Sequence, residues 1–139
     1  MGNKRKINEE FLNDFLKLTF IDSKGNEVNI DYGDEKVVLF ISSLSCVHCI
    51  DLLPHLNEIR DLNINSTLVL FSDGSPEELS DMIEYFEWSF QVVSYKKGDL
   101  KEFLPDLILP FTIFLDNNKK LQNVATIYNK EDFRIAQLI

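Results

Sequence analysis

Positive charge is in short supply in this chain. Its 139 residues carry 14 Lys+Arg against 23 Asp+Glu, a formal net charge of −9 with both histidines neutral. A surface of that sign repels phosphate backbones and anionic lipid, which argues against nucleic acid and acidic membranes as partners. Cysteine is scarcer still. Cys46 and Cys49 are the only two, too few for a disulfide framework. Five glycines and four prolines form no linker, and no repeat or low-complexity run divides the sequence. Apolar runs are short. None reaches the ~18 residues of a membrane span, and no run of signal-peptide length follows Lys4, Arg5 and Lys6. The expected location is cytoplasmic, with an extracytoplasmic one as the alternative if an anchor lies outside these residues.

What is present supports a core. Hydrophobic residues make up 45% of the chain and eleven are phenylalanine. A chain of this length buries roughly two-thirds of its unfolded surface, so one domain over residues 1–139 is expected. Residues 1–14 read as a frayed or helical extension. Leu16, Leu18 and Phe20 alternate with polar neighbours, as do Val28 and Ile30 after Asp22–Asn26, so residues 15–30 read as a β-hairpin. Val37–Ile41 is a continuous apolar run of the kind that forms a strand covered on both faces, and Thr67–Phe71 reads as another buried-type strand. Between them Ile50, Leu53, Leu56 and Ile59 step at helical spacing, with Pro54 expected to kink the helix. Ser75-Pro76-Glu77-Glu78 reads as a capping box opening a helix whose apolar stripe is Leu79, Met82, Ile83 and Phe86. A short strand (Phe90–Val93), a short helix (Gly98–Leu104), a hairpin (Phe111–Leu115 with Val124–Tyr128) and a last helix complete the reading. Asn129 caps that helix, and its apolar face is Phe133, Ala136 and Leu138. The fold class is α/β, a central mixed sheet flanked by helices, with an extra N-terminal hairpin.

The run Cys46-Val47-His48-Cys49 lies where a buried strand passes into a helix. The first turn of a helix has free N–H groups and the positive end of the helix dipole. A thiolate at Cys46 is favoured there, and the thiolate is the form that attacks disulfides. Two intervening residues bring Cys49 within reach, so Cys49 can resolve a mixed disulfide formed at Cys46. His48, and with it Val47, is placed to tune the couple, since an imidazole near Cys46 makes the disulfide more oxidising. A zinc site needs four ligands, and only Cys46, His48, Cys49 and His55 are available, with no second CxxC; no metal is expected.

With these residues the chain resembles the thioredoxin superfamily of thiol–disulfide oxidoreductases. The resemblance rests on strand Val37–Ile41, the CxxC, Pro54 five residues after Cys49, and Leu109-Pro110-Phe111-Thr112-Ile113-Phe114-Leu115-Asp116. The opening hairpin is more similar to the TlpA/ResA branch than to thioredoxin itself. The resemblance implies a thioredoxin fold and Cys46 as nucleophile with Cys49 resolving. It also implies a cis Pro110, with the Leu109 backbone binding a substrate chain. No cofactor beyond the Cys46–Cys49 disulfide is implied. The partners implied are a protein or peptide thiol or disulfide and an upstream electron donor or acceptor. A monomer is expected, dedicated to the maturation of a specific secreted peptide or protein. The chain departs from the family pattern at Ser45, where tryptophan is usual, and at Phe40, near the place of a buried aspartate. A binding module without turnover and a metallochaperone using the CxxC are the alternatives. His55 reads as solvent-facing. Glu77, Glu78, Asp81, Glu84 and Glu87 read as the solvated face of their helix, and Tyr85, Phe86 and Trp88 as core.

Overall fold

Among the described residues the first element is a helix rather than a strand. A computed structural model describes residues 7–30, 33–62, 66–105 and 107–137. Helix α1 (Glu9–Leu16) is capped by Asn8, whose side chain accepts the N–H groups of Glu10 at 2.9 Å and Phe11 at 3.2 Å. Leu12 and Phe15 are buried on its inner face. The expected strand at Leu16–Phe20 is therefore corrected. Leu16 ends the helix, because the spacing of Leu12 and Phe15 buries a helical face that alternation from Leu16 would expose. The hairpin itself survives in short form, as β1 (Phe20–Asp22) and β2 (Glu27–Val28). Asp22 Oδ1 closes its turn by accepting the N–H groups of Lys24 and Asn26, both at 2.9 Å, and Gly25 takes the left-handed φ of 83° the turn needs.

Strand β3 (Lys36–Ile41) leads to α2 (Val47–Leu52), a 3₁₀ turn at Leu53–His55, and α3 (Leu56–Leu62). Pro54 lies in the 3₁₀ turn that interrupts the helix, consistent with its missing N–H. The buried face is Cys49, Leu52, Leu53, Leu56 and Ile59. Ile50 does not belong to it and is 41% exposed, because it sits about 100° around the helix from Cys49. Strand β4 (Ser66–Ser72) follows, then α4 (Pro76–Phe86), whose Ser75–Glu78 capping box forms in both directions. The acidic residues of α4 face solvent. Trp88 is buried beyond it, but Tyr85 is exposed, so the aromatic set is only partly core.

Strand β5 (Gln91–Ser94), α5 (Lys97–Phe103), β6 (Phe111–Leu115), β7 (Leu121–Thr126) and α6 (Lys130–Ala136) complete the order. The return strand starts earlier than Val124. The Asp116–Lys120 turn is tight, with Lys119 N–H donating to Asp116 O at 2.8 Å, so pairing resumes at Leu121 and Tyr128 falls outside the strand. Leu138 lies outside the described residues.

Among the described residues the strands form a seven-stranded sheet in the order β2-β1-β5-β4-β3-β6-β7. Strand β3 is interior, third from the β7 edge. It runs parallel to β4 and antiparallel to β6. Its alternation divides the core: Val37, Leu39 and Ile41 pack on the α1 and α5 side, and Val38 and Phe40 on the side of α2, α3, α4 and α6. The strand polarities bring three segments to one end of the sheet. These are the exit of β3, the exit of β4 and the entry to β6.

Candidate active site

The exit of β3 carries the cysteines. Cys46 is the N-cap of α2 with extended backbone (φ −105°, ψ 115°), and its Sγ accepts the N–H of Cys49 at 3.2 Å. A sulfur in this place meets an unpaired helix N–H, the interaction that favours an anion. Cys46 is half-buried. Cys49 is 1% exposed, and both are free thiols. Burial pushes the Cys49 thiol up to about 12. Its hydrogen bond to Cys46 and the charges of Cys46 and Asp73 add to the rise, and the Ser43 backbone opposes it. The pair is thus asymmetric, with one accessible sulfur in front and one protonated sulfur behind.

The approach to Cys46 is tied down by polar groups that sequence reasoning left unassigned. Ser42 and Ser43 are buried. Ser42 Oγ donates to Phe71 O at 2.9 Å, and its own carbonyl accepts the Tyr95 hydroxyl at 2.8 Å. Burial raises the Tyr95 phenol, with the charge of Asp73 next in effect. Ser43 Oγ donates to Asp73 Oδ2 at 2.6 Å, and Leu44 N–H donates to Asp73 Oδ1 at 2.8 Å. Lys97 Nζ lies 3.5 Å from Asp73 Oδ2 and donates to Ser45 Oγ at 3.2 Å. Phe40 offers no charge: it is buried and stacks on Phe133 with ring centroids 5.8 Å apart. An enclosed acid is present all the same, contributed by the exit of β4 rather than by β3. The acid two residues after the apolar run Leu68–Phe71 was the signal that could have found it.

The entry to β6 supplies the third wall. The Leu109–Pro110 peptide bond is cis. Cys46 Sγ donates to the Leu109 carbonyl across 3.8 Å. Neighbouring bonds hold this segment, from Ile127 N–H to Pro110 O at 3.1 Å and from Thr126 Oγ1 to Ile108 O at 3.3 Å. Val47 projects into solvent at 73% exposure. His48 is also exposed, and its ring meets that of Tyr128 edge-on, with centroids 5.1 Å apart. His55 faces solvent, 3.4 Å from Glu58. Among the described residues no group of three or more His, Cys, Asp or Glu is gathered as a metal set, and no helix is long and apolar enough to cross a membrane. Cys46, Cys49, Leu109 and Pro110 are thus brought together, Val47 and His48 flank them on the solvent side, and Asp73 joins them from behind.

No family model matches the chain, and no curated protein matches it in sequence. Solved structures do match in shape. A secreted disulfide oxidoreductase of Mycobacterium tuberculosis, homologous to E. coli DsbE, superposes with a TM-score of 0.69 at 13% identity, covering 88% of this chain and 96% of that one. The thioredoxin domain of a thiol–disulfide oxidoreductase from Bacteroides vulgatus gives 0.68 at 23% identity, covering 87% and 90%. StoA from Bacillus subtilis gives 0.64 at 17% identity, covering 87% and 97%. At these identities the likeness establishes the fold: the chain has the thioredoxin fold.

Proposed function

We propose that the chain is a thiol–disulfide oxidoreductase exchanging disulfides with a protein or peptide substrate at Cys46-Val47-His48-Cys49. One observation carries the reading. Cys46 Sγ sits at a helix N-cap, 3.2 Å from Cys49 N and 3.8 Å from the Leu109 carbonyl, with the second cysteine buried behind it. A binding module needs no such pairing of an open sulfur with a shielded one.

The residues divide the work as follows. The Cys46 thiolate attacks a substrate disulfide. One substrate sulfur leaves with the electron pair and takes up a proton, while the other stays bonded to Cys46. Cys49 then gives up its proton and attacks Cys46 Sγ. The mixed bond breaks, the second substrate sulfur leaves, and the Cys46–Cys49 disulfide remains. Two electrons have passed from the dithiol to the substrate, and the reverse sequence oxidises a substrate dithiol. That disulfide is the only redox group the reading requires. An upstream thiol or disulfide partner resets it. The backbone at Leu109–Pro110 offers polar groups to an extended substrate chain, and Val47 and His48 meet the substrate and tune the couple.

The finer part of the proposal is a dedicated role in maturing a specific secreted peptide or protein. The M. tuberculosis neighbour is described as secreted, which favours the extracytoplasmic alternative for such a role. Insulin reduction with dithiothreitol as donor tests the activity. Wild type should accelerate it and Cys46→Ser should not; equal rates would remove the enzymatic reading. A Cys49→Ser trap expressed in native cells, followed by fractionation, would identify the substrate and its compartment, and an empty trap would argue against turnover.

A further inference from the structure

Asp73 stands at the exit of β4, where parallel pairing with β3 sets it against the loop leading to Cys46. Its side chain is only 6% exposed. Both of its oxygens are engaged. Oδ1 accepts the Leu44 N–H at 2.8 Å, and Oδ2 accepts the Ser43 hydroxyl at 2.6 Å with Lys97 Nζ at 3.5 Å. Ser43 spends its one hydroxyl proton on Asp73, so the 2.9 Å contact between Ser43 and Ser45 is donated by Ser45. The loop from Ser43 to Ser45 therefore hangs on this carboxylate. Ser43 is also the link to the dithiol, because its backbone acts on Cys49 while its hydroxyl is held by Asp73.

A carboxylate beside a thiol can act in two opposite ways. It can take the thiol proton, or its charge can oppose the loss of that proton. Asp73 turns its oxygens to Ser43 and Leu44 and makes no hydrogen bond to Cys49, so it meets that thiol as a charge, which favours the second way. The charged and titratable groups around Cys49 agree with it. Burial is the main cause of the rise at Cys49 and at Tyr95, the charge of Asp73 adds to both, and Lys97 is the cation that screens it.

We propose that Asp73 is a positioning residue that holds the Ser43–Ser45 loop behind the two cysteines, and whose charge slows the attack of Cys49 on a mixed disulfide at Cys46. The inference rests on the redox reading of the cysteine pair. The slowed step is the one already balanced: the Cys49 proton leaves, the Cys49–Cys46 bond forms, and the bond from Cys46 to the substrate sulfur breaks. A slower step lengthens the life of the intermediate in which the substrate is tethered.

The test uses the adduct of reduced protein with dithionitrobenzoate. The first nitrothiobenzoate released reports attack by Cys46, and the second reports attack by Cys49. Asp73→Asn should speed the second release and move its pH profile to lower pH. Each tenfold rise in thiolate gives about a three-fold faster attack, because nucleophilicity falls as the thiol becomes more acidic. Lys97→Met, which leaves the carboxylate unscreened, should slow the second release and move the profile up. Asp73→Glu should stay with wild type. A slower second release in Asp73→Asn would make Asp73 a proton acceptor and overturn the inference. Equal rates, or both variants moving the same way, would also overturn it, leaving only a loop-holding role. If wild type forms the adduct and never releases the second group, the redox reading itself fails, a result distinct from the others.

Discussion

Alkylation of the reduced protein should label one cysteine and spare the other. Cys46 presents a half-buried sulfur at a helix N-cap, whereas Cys49 is 1% exposed with its thiol pushed up to about 12 against an ordinary 9.0. Near pH 8 that difference removes about three powers of ten of Cys49 thiolate. The less acidic thiol is the better nucleophile, and a Brønsted slope of ~0.45 returns about twenty-fold. The net slowing of Cys49 is then about fifty-fold relative to the same residue in the unfolded chain, before closed access adds to it. The assay is timed iodoacetamide labelling, native and in urea, with peptide mapping by mass spectrometry. Native protein should pass through a long-lived species labelled at Cys46 alone, and urea should abolish the difference. Equal native rates, or Cys49 reacting first, would refute the assignment of front and rear sulfurs.

Other outcomes follow from the same geometry. Folded Cys49 keeps its proton where an unfolded thiol has lost it, so the stability of the reduced protein is full below about pH 9 and falls as the pH climbs toward 12. Urea midpoints should therefore drop with alkali more in the reduced protein than in the oxidised one, although Tyr95 weakens both. His48→Pro should lower the reduction potential by an amount of the order of 30 mV, measured against a glutathione buffer. Phe133, fully buried between Phe40 and Phe114, should cost about 3–5 kcal/mol when changed to alanine, read by fluorescence of the single Trp88 in urea. Ser75→Ala should cost about 1 kcal/mol in the same titration by opening the α4 capping box.

The sheet and the cysteines were legible because their signals are local. Val37–Ile41 and Leu68–Phe71 are apolar throughout, as strands covered on both faces must be, and each lies within its observed strand. The capping box around Ser75 is written in four adjacent residues, and CxxC at a strand exit states its own geometry. What escaped was set by distance or by competition. Leu16, Leu18 and Phe20 alternate convincingly, but Leu12 and Phe15 already claim a helical face, and Asn8 caps it. Asp73 lies about thirty residues from the loop it holds, and only the parallel pairing of β3 with β4 joins them. Tyr128 met His48 only once the tight turn at Asp116 had drawn β7 earlier than its apolar pattern suggested.

The position of β3 sets how the molecule can breathe. Val37–Ile41 is bonded on both sides along its length, to β4 and to β6, while the outer strand β2 has two residues and pairs with β1 alone. Opening events start where few contacts must break, so β2 can detach at little cost, whereas β1 is held by the buried Phe20. The cysteines follow a strand at the other extreme, one paired on both sides along its length. On the proposed redox reading, a substrate tethered at Cys46 would pull against a strand bonded on both sides.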